Sequence, residues 1–137
     1  KIGQIKSRSS IYESKSLGFY GPDFFNLCVS LETKLPPKKL LDELFKIEIL
    51  MGRIRTDKRK LISRKIDIDI LFYDNKIILS EKLQIPHPRL QNRNFVLYPM
   101  MEIAPNLKHP VLKTKISTLF KKCSGTNIPL KLIVKAS

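Results

Sequence analysis

An α+β sandwich is the fold class this chain predicts, on three observations. Apolar residues recur with period two over residues 2–12, 24–33 and 66–72, the spacing of strands with one buried face. One segment of helical period separates the second run from the third. Internal repeats are absent, so the order strand, strand, helix, strand lays an amphipathic helix on one side of a mainly antiparallel sheet. With 137 residues, 42% of them hydrophobic, residues 1–137 make one domain with a sizeable core.

The first strand is expected to run to Tyr12, and Glu13 to Pro22, with Gly18 and Gly21, to form a loop. Phe24 to Thr33 reads as the second strand. Pro36-Pro37 opens a helix whose apolar stripe is Leu40, Leu41, Leu44, Phe45, Ile47, Leu50 and Met51, closed by Gly52 at the usual C-terminal position. From Arg53 to Lys65 seven cations face a single carboxylate, Asp57. Such a run repels itself on any regular surface, which predicts a loop that orders over an anionic ligand. Residues 66–73 are the third strand, and Asp74-Asn75 turns the chain into Lys76 to Leu79. Pro86, Pro88 and Pro99 are expected to break the next stretch into loops and short helical turns around Phe95-Val96-Leu97. A short helix at Ser117 to Lys122 and an apolar tail, Ile128 to Val134, complete the order.

The third strand carries the chemistry. In Ile66-Asp67-Ile68-Asp69-Ile70 successive side chains point to opposite faces, so the two carboxylates share one face about 7 Å apart and the isoleucines the other. Like charges so placed call for a cation. Mg²⁺ suits them, because it takes one or two carboxylates and completes its shell with water and substrate phosphates. A solvated strand face neutralised by neighbouring Arg and Lys is the plainer alternative. The basic run leading into the pair favours a polyphosphate ligand, with cations flanking oxygens that metals bridge.

Net charge of +14 points to an anionic partner, but much of it is scattered Lys accompanied by Ile, a compositional bias rather than a nucleic-acid patch. Cys28 and Cys123 are too few for a disulfide framework or a zinc site, and Cys28 reads as a buried core thiol in a reducing compartment. No apolar run reaches membrane-spanning length. There is no Gly-x-x-x-x-Gly-Lys-Ser/Thr and no Gly-x-Gly-x-x-Gly among the five glycines, so phosphate must be held by side chains and metals. His87 lies between two prolines that extend its backbone and aim the imidazole. His109 lacks such context and reads as a turn residue. Asn26 interrupts an apolar strand and needs partners for both amide ends, while Phe24 and Phe95 are core residues on pattern alone.

In order along the chain stand Tyr12 to Ser14, Pro22-Asp23-Phe24-Phe25-Asn26, and Glu48 with Gly52-Arg53-x-Arg55. Arg64-x-x-Asp67-Ile68-Asp69-Ile70-Leu71, Ile85-Pro86-His87-Pro88-Arg89-Leu90 and Arg93-x-Phe95-Val96-Leu97-x-Pro99 come after them. Together they resemble the 6-hydroxymethyl-7,8-dihydropterin pyrophosphokinase family, which moves a pyrophosphoryl group from ATP to a pterin alcohol in folate biosynthesis. The resemblance implies a ferredoxin-like sandwich in which Asp67 and Asp69 bind two Mg²⁺ and Arg55, Arg64 and His87 act on the phosphates. It also implies that Glu48, Lys82, His87, Arg93 and Ile70 contact ATP, and that Ser14, Leu17, Phe24, Asn26 and Phe95 form the pterin site.

The same resemblance implies a cytoplasmic monomer acting on two small molecules, with neither nucleic acid nor membrane as partner. Three departures from the family pattern stand out. Ser14 replaces a Thr, Lys60-Leu61-Ile62-Ser63 replaces an aromatic and a Gly-Pro, and the family's opening strand and most of its first helix are not in the chain. Were that strand truly absent, residues 66–73 would not pair with 24–33, and these 137 residues would be marginally stable and weakly active. The rival readings are a basic ferredoxin-like nucleic-acid-binding module, which lacks its aromatic strand motif here, and another Mg-dependent nucleotidyltransferase.

Overall fold

Each of the first two strand-like runs breaks in the middle, and the break shapes the molecule. The computed structural model describes residues 2–14, 24–52 and 66–123, with the backbone of 131–134. The first run becomes β1 (Gly3–Arg8) and β2 (Ile11–Ser14), and the second becomes β3 (Phe24–Asn26) and β4 (Val29–Thr33). At the corner, Ser9 N–H donates to Cys28 O at 2.8 Å and Cys28 N–H donates to Ser9 Oγ at 2.9 Å. Ser9 and Ser10 are buried, and these bonds satisfy backbone groups that leave the ladder there. Strand geometry also extends to Ser14, past the expected start of the loop at Glu13, because Glu13 and Ser14 pair with Phe25 and Phe24.

The outer part, β1 with β4, is an antiparallel ribbon from Gly3↔Thr33 to Arg8↔Val29. Gly3 is demanded by close approach, since a Cβ there would lie 2.2 Å from Glu32 O. The inner part places β2 between β3 and β7 (Lys131–Val134), both antiparallel to it. Helix α1 (Pro37–Leu50) starts on Pro37, and Gly52 comes just after it at φ 114°, a conformation glycine adopts freely. Its stripe is less buried than its spacing predicts: Leu40 is buried, but Phe45, Leu50 and Met51 are exposed.

Two further expectations need correction. Residues 66–73 are not the strand expected, for they form no ladder with any other described strand; the expectation that they do not pair with 24–33 holds, and their backbone is held by side chains and loops. Pro99 does not end a helix but lies inside α2 (Asn94–Ile103). The bond lost at Pro99 is offset by burial, for Leu97, Pro99 and Met100 all face the core. Asp74, with φ 51°, makes the expected turn, and β5 (Ile78–Leu79) and β6 (Gln84–Ile85) form a short hairpin after it.

Helix α3 (Ile116–Lys122) packs on α2. Between them they enclose the core of Leu90, Leu97, Met100, Ile116 and Leu119 with Cys28, flanked by Leu71 and Phe72. Burial pushes the Cys28 thiol up to about 12, in keeping with a core residue. The result is a small α+β structure of antiparallel pairings and, among the described residues, three α-helices.

Candidate active site

Residues 66–70 keep their alternation without a ladder. Asp67 and Asp69 are exposed, and Ile66, Ile68 and Ile70 are half-buried, so both carboxylates face solvent on one side as the spacing predicts. Three anchors fix the segment. The carboxylate of Glu48, buried on α1, accepts the N–H of Ile68 between the two aspartates. His87 N–H donates to Leu71 O at 2.9 Å. The phenol of Tyr73 donates to Leu35 O, just before α1.

Beside this segment opens a cleft of about 230 Å³ whose walls include Asp69, Ile70, Lys82 and His87. His87 reaches it through Pro86, joined to Ile85 by a cis peptide bond, and Pro88. Its Nδ1 accepts the Arg89 N–H at 3.3 Å, which leaves Nε2–H as a donor. Burial lowers the His87 pKa, the Asp69 charge opposes that shift, and Arg93 and Arg89 add to it. At pH 7 the imidazole is therefore neutral, a hydrogen-bond donor rather than a cation. Asp69, Arg93 and Arg89 thus all lie within electrostatic reach of His87.

Arg93 lies over the Phe95 ring, 5.4 Å from its centroid, at the start of α2. The pattern reading of Phe24 and Phe95 as core residues is corrected here. Phe24 is 52% exposed and Phe95 only half-buried, so neither sits in the core cluster. Asn26 is half-buried on β3 opposite Tyr12, and α2 packs against both β2 and β3. Ser14 ends β2 with its hydroxyl buried and without a hydrogen-bond partner among the described residues. Asp69, Ile70, Lys82 and His87 line the cleft, with Asp67 two residues before Asp69; Ser14, Phe24 and Asn26 lie on β2 and β3, the two strands against which α2, the helix of Phe95, packs.

Arg55, Arg64 and Leu17, the basic loop 53–65 and residues 15–23 of the glycine-bearing loop lie outside the described residues. His109 is the turn residue expected, its Nδ1 accepting the N–H groups of Val111 and Leu112. Sequence reasoning missed that Glu48 holds backbone. The available signal was a carboxylate set between Ile47 and Ile49 in an apolar stripe.

No group of three or more His, Cys, Asp or Glu that could hold a metal occurs among the described residues. Two exposed carboxylates beside a cleft fit Mg²⁺, which needs no more protein ligands when substrate phosphates supply the rest.

Comparison with known proteins agrees with this chemistry. A family model described as 7,8-dihydro-6-hydroxymethylpterin-pyrophosphokinase matches residues 1–105. The chain is 48% identical over 107 residues to a 2-amino-4-hydroxy-6-hydroxymethyldihydropteridine pyrophosphokinase of Haemophilus influenzae, covering 77% of this chain and 66% of that one. Against the enzyme of the same name from Aquifex aeolicus it is 40% identical over 133 residues, covering 96% and 81%. It is also 44% identical over 121 residues to the Folic acid synthesis protein fol1 of Pneumocystis carinii, covering 87% of this chain and 16% of that much longer one.

Proposed function

The chain belongs to the 7,8-dihydro-6-hydroxymethylpterin-pyrophosphokinase family, and from that premise we propose that it transfers pyrophosphate from ATP to 6-hydroxymethyl-7,8-dihydropterin in folate biosynthesis. The pterin hydroxymethyl oxygen bonds to the β-phosphorus and gives up its proton to solvent, the bond from that phosphorus to the α–β bridging oxygen breaks, and AMP leaves. What carries this reading is the cleft that joins Asp69, Lys82 and His87 beside a second exposed carboxylate, Asp67.

Asp67 and Asp69 would hold two Mg²⁺, which supply charge neutralisation along the triphosphate. The neutral His87 donates from Nε2 to a phosphate oxygen, and Lys82, Arg93, Arg55 and Arg64 balance the charge that develops as AMP departs. Glu48 and Ile70 belong to the nucleotide side. Asn26 hydrogen-bonds the pterin edge while Phe24 and Phe95 stack on its faces, with Ser14 and Leu17 closing the site. The Ser14 hydroxyl, without a hydrogen-bond partner among the described residues, and the exposed Phe24 ring support that assignment. Acceleration comes mainly from positioning and electrostatics.

A ferredoxin-like arrangement, a monomeric state and a cytoplasmic setting complete the reading, with two small molecules as the partners. Antiparallel β3-β2-β7 pairing with α2 packed against β2 supports the first. No described helix is long and apolar enough to cross a membrane.

Incubation with ATP, Mg²⁺ and the pterin alcohol is expected to release AMP and the pterin diphosphate, resolved by chromatography. Release of pyrophosphate instead would mark a nucleotidyltransferase, and no product at all would favour a binding module. Because Glu48 holds Ile68 between the two aspartates, Glu48→Ala is expected to lower turnover about 10- to 100-fold, the usual effect of removing a group that supports metal ligands. Glu48→Gln keeps an oxygen for the Ile68 N–H and should retain most activity. Equal losses in both variants, measured at saturating Mg²⁺, would reject the backbone-anchor role.

A further inference from the structure

We propose that Glu102, near the C-terminal end of α2, is a positioning residue that sets the spacing between Asn26 and Phe95 and so determines how tightly the pterin is held. The inference rests on the assignment of those two residues to the pterin site. Its basis is a set of three hydrogen bonds spanning about ninety positions of sequence. Glu102 Oε1 accepts the Ser10 N–H at 2.9 Å and the Tyr12 hydroxyl at 3.1 Å, and Oε2 accepts the Ser10 hydroxyl at 2.8 Å. Bonds to an ionised acceptor are stronger than neutral ones.

Both donors stand at the places that orient the site. Ser10 is buried in the corner between β1 and β2, and Tyr12 is the residue directly across from Asn26. At its other end α2 is tied to the same corner, for the Cys28 thiol donates to Val96 O at 3.9 Å and Cys28 itself is bonded to Ser9. Glu102 lies seven residues beyond Phe95, about 10 Å along the helix axis. Helix α2 is thereby held at two separated points, to Ser10 and Tyr12 through Glu102 and to Cys28 through Val96. Such a pair of ties fixes the helix angle as well as its distance, where one tie would leave it free to pivot. The Tyr12 ring also meets the Tyr98 ring edge to face, 6.3 Å between centroids. Burial, then the bond to Glu102, raises the Tyr12 pKa, which keeps the phenol a donor.

Glu102→Ala removes all three bonds. Glu102→Gln can keep them, with Oε1 accepting from Ser10 N–H and Tyr12 and the amide N–H₂ donating to the Ser10 hydroxyl, which rotates to accept. Tyr12→Phe removes one bond and keeps the ring. The test measures pterin affinity, by titration in the presence of a non-hydrolysable ATP analogue, together with KM for each substrate and the melting temperature. For Glu102→Ala, pterin affinity and KM are expected to weaken about tenfold or more, with KM for ATP within twofold, since misplacement of a positioning group acts on the ligand it positions.

Glu102→Gln should restore most of the wild-type affinity, and Tyr12→Phe should fall between it and Glu102→Ala. Pterin affinity unchanged in Glu102→Ala, or KM for both substrates rising together, or a lowered melting temperature as the sole effect, would overturn the inference. Those outcomes leave the proposed function standing if the wild-type protein still releases AMP. A wild-type protein that binds no pterin would overturn both.

Discussion

Replacing Asp67 or Asp69 by Asn is expected to reduce turnover by about 10²- to 10³-fold or more, the scale on which loss of one preorganised electrostatic group acts. Both side chains are exposed and neither serves the core, so the loss falls on chemistry rather than on folding. Two neighbouring like charges oppose each other, and removing one should leave the melting temperature unchanged or raise it in the absence of metal. The backbone anchor is also preserved, because the Ile68 N–H that Glu48 accepts belongs to the main chain, which neither substitution alters. Assays across a Mg²⁺ series check the result. Full activity of either variant at limiting Mg²⁺ would remove that residue from the metal site.

Leu97→Ala is expected to destabilise the fold by about 2–5 kcal/mol, a large part of the roughly 5–15 kcal/mol that holds a typical domain. Leu97 is 0% exposed at the centre of the cluster that joins Cys28, Leu90, Met100, Ile116 and Leu119. Its removal leaves a cavity between α2, α3 and the β corner, and close-packed neighbours collapse only partly into such a space. The same helix begins with Arg93 and Phe95, so loosening it should also blunt activity at temperatures well below the new midpoint. Urea denaturation measures the change. Leu79→Ala is the control, since Leu79 is 82% exposed and should shift stability by no more than about 0.5 kcal/mol. Equal shifts in the two variants would mean that Leu97 is not central to the core.

The features legible in the sequence were local ones. Pro36-Pro37 and Gly52 bound α1, Asp74-Asn75 turns as expected, and the alternation around Asp67 and Asp69 survives as alternating exposure. Features set by distant partners were not legible. The break at Ser9-Ser10 and Leu27-Cys28 depends on bonds between residues 19 positions apart, which no local window contains. Residues 66–73 have strand composition, yet composition does not supply a neighbouring strand, and Glu48, His87 and Tyr73 take the contacts instead. Pro99 stays helical because burial outweighs its missing donor. Phe24 belongs to no core because β3 turns it outward. The apolar stripe of α1 was visible, but burial depends on what lies opposite, and Phe45, Leu50 and Met51 remain exposed. Around the candidate site, the alternation of the aspartates and the place of His87 between prolines could be read locally, Glu48 as an anchor showed only as a carboxylate within an apolar stripe, and the Glu102 tie had no signature in spacing.

The burial of Cys28 also decides where thiol chemistry can occur. With burial holding its pKa up at about 12, Cys28 stays a thiol at pH 7, and the thiolate is the form that reacts. Cys123 is half-buried at the end of α3. An alkylating reagent at neutral pH is thus directed to a single position on the rim of the core. A fluorophore placed there would report on α3 in the native protein without disturbing the corner that Cys28 and Ser9 hold together.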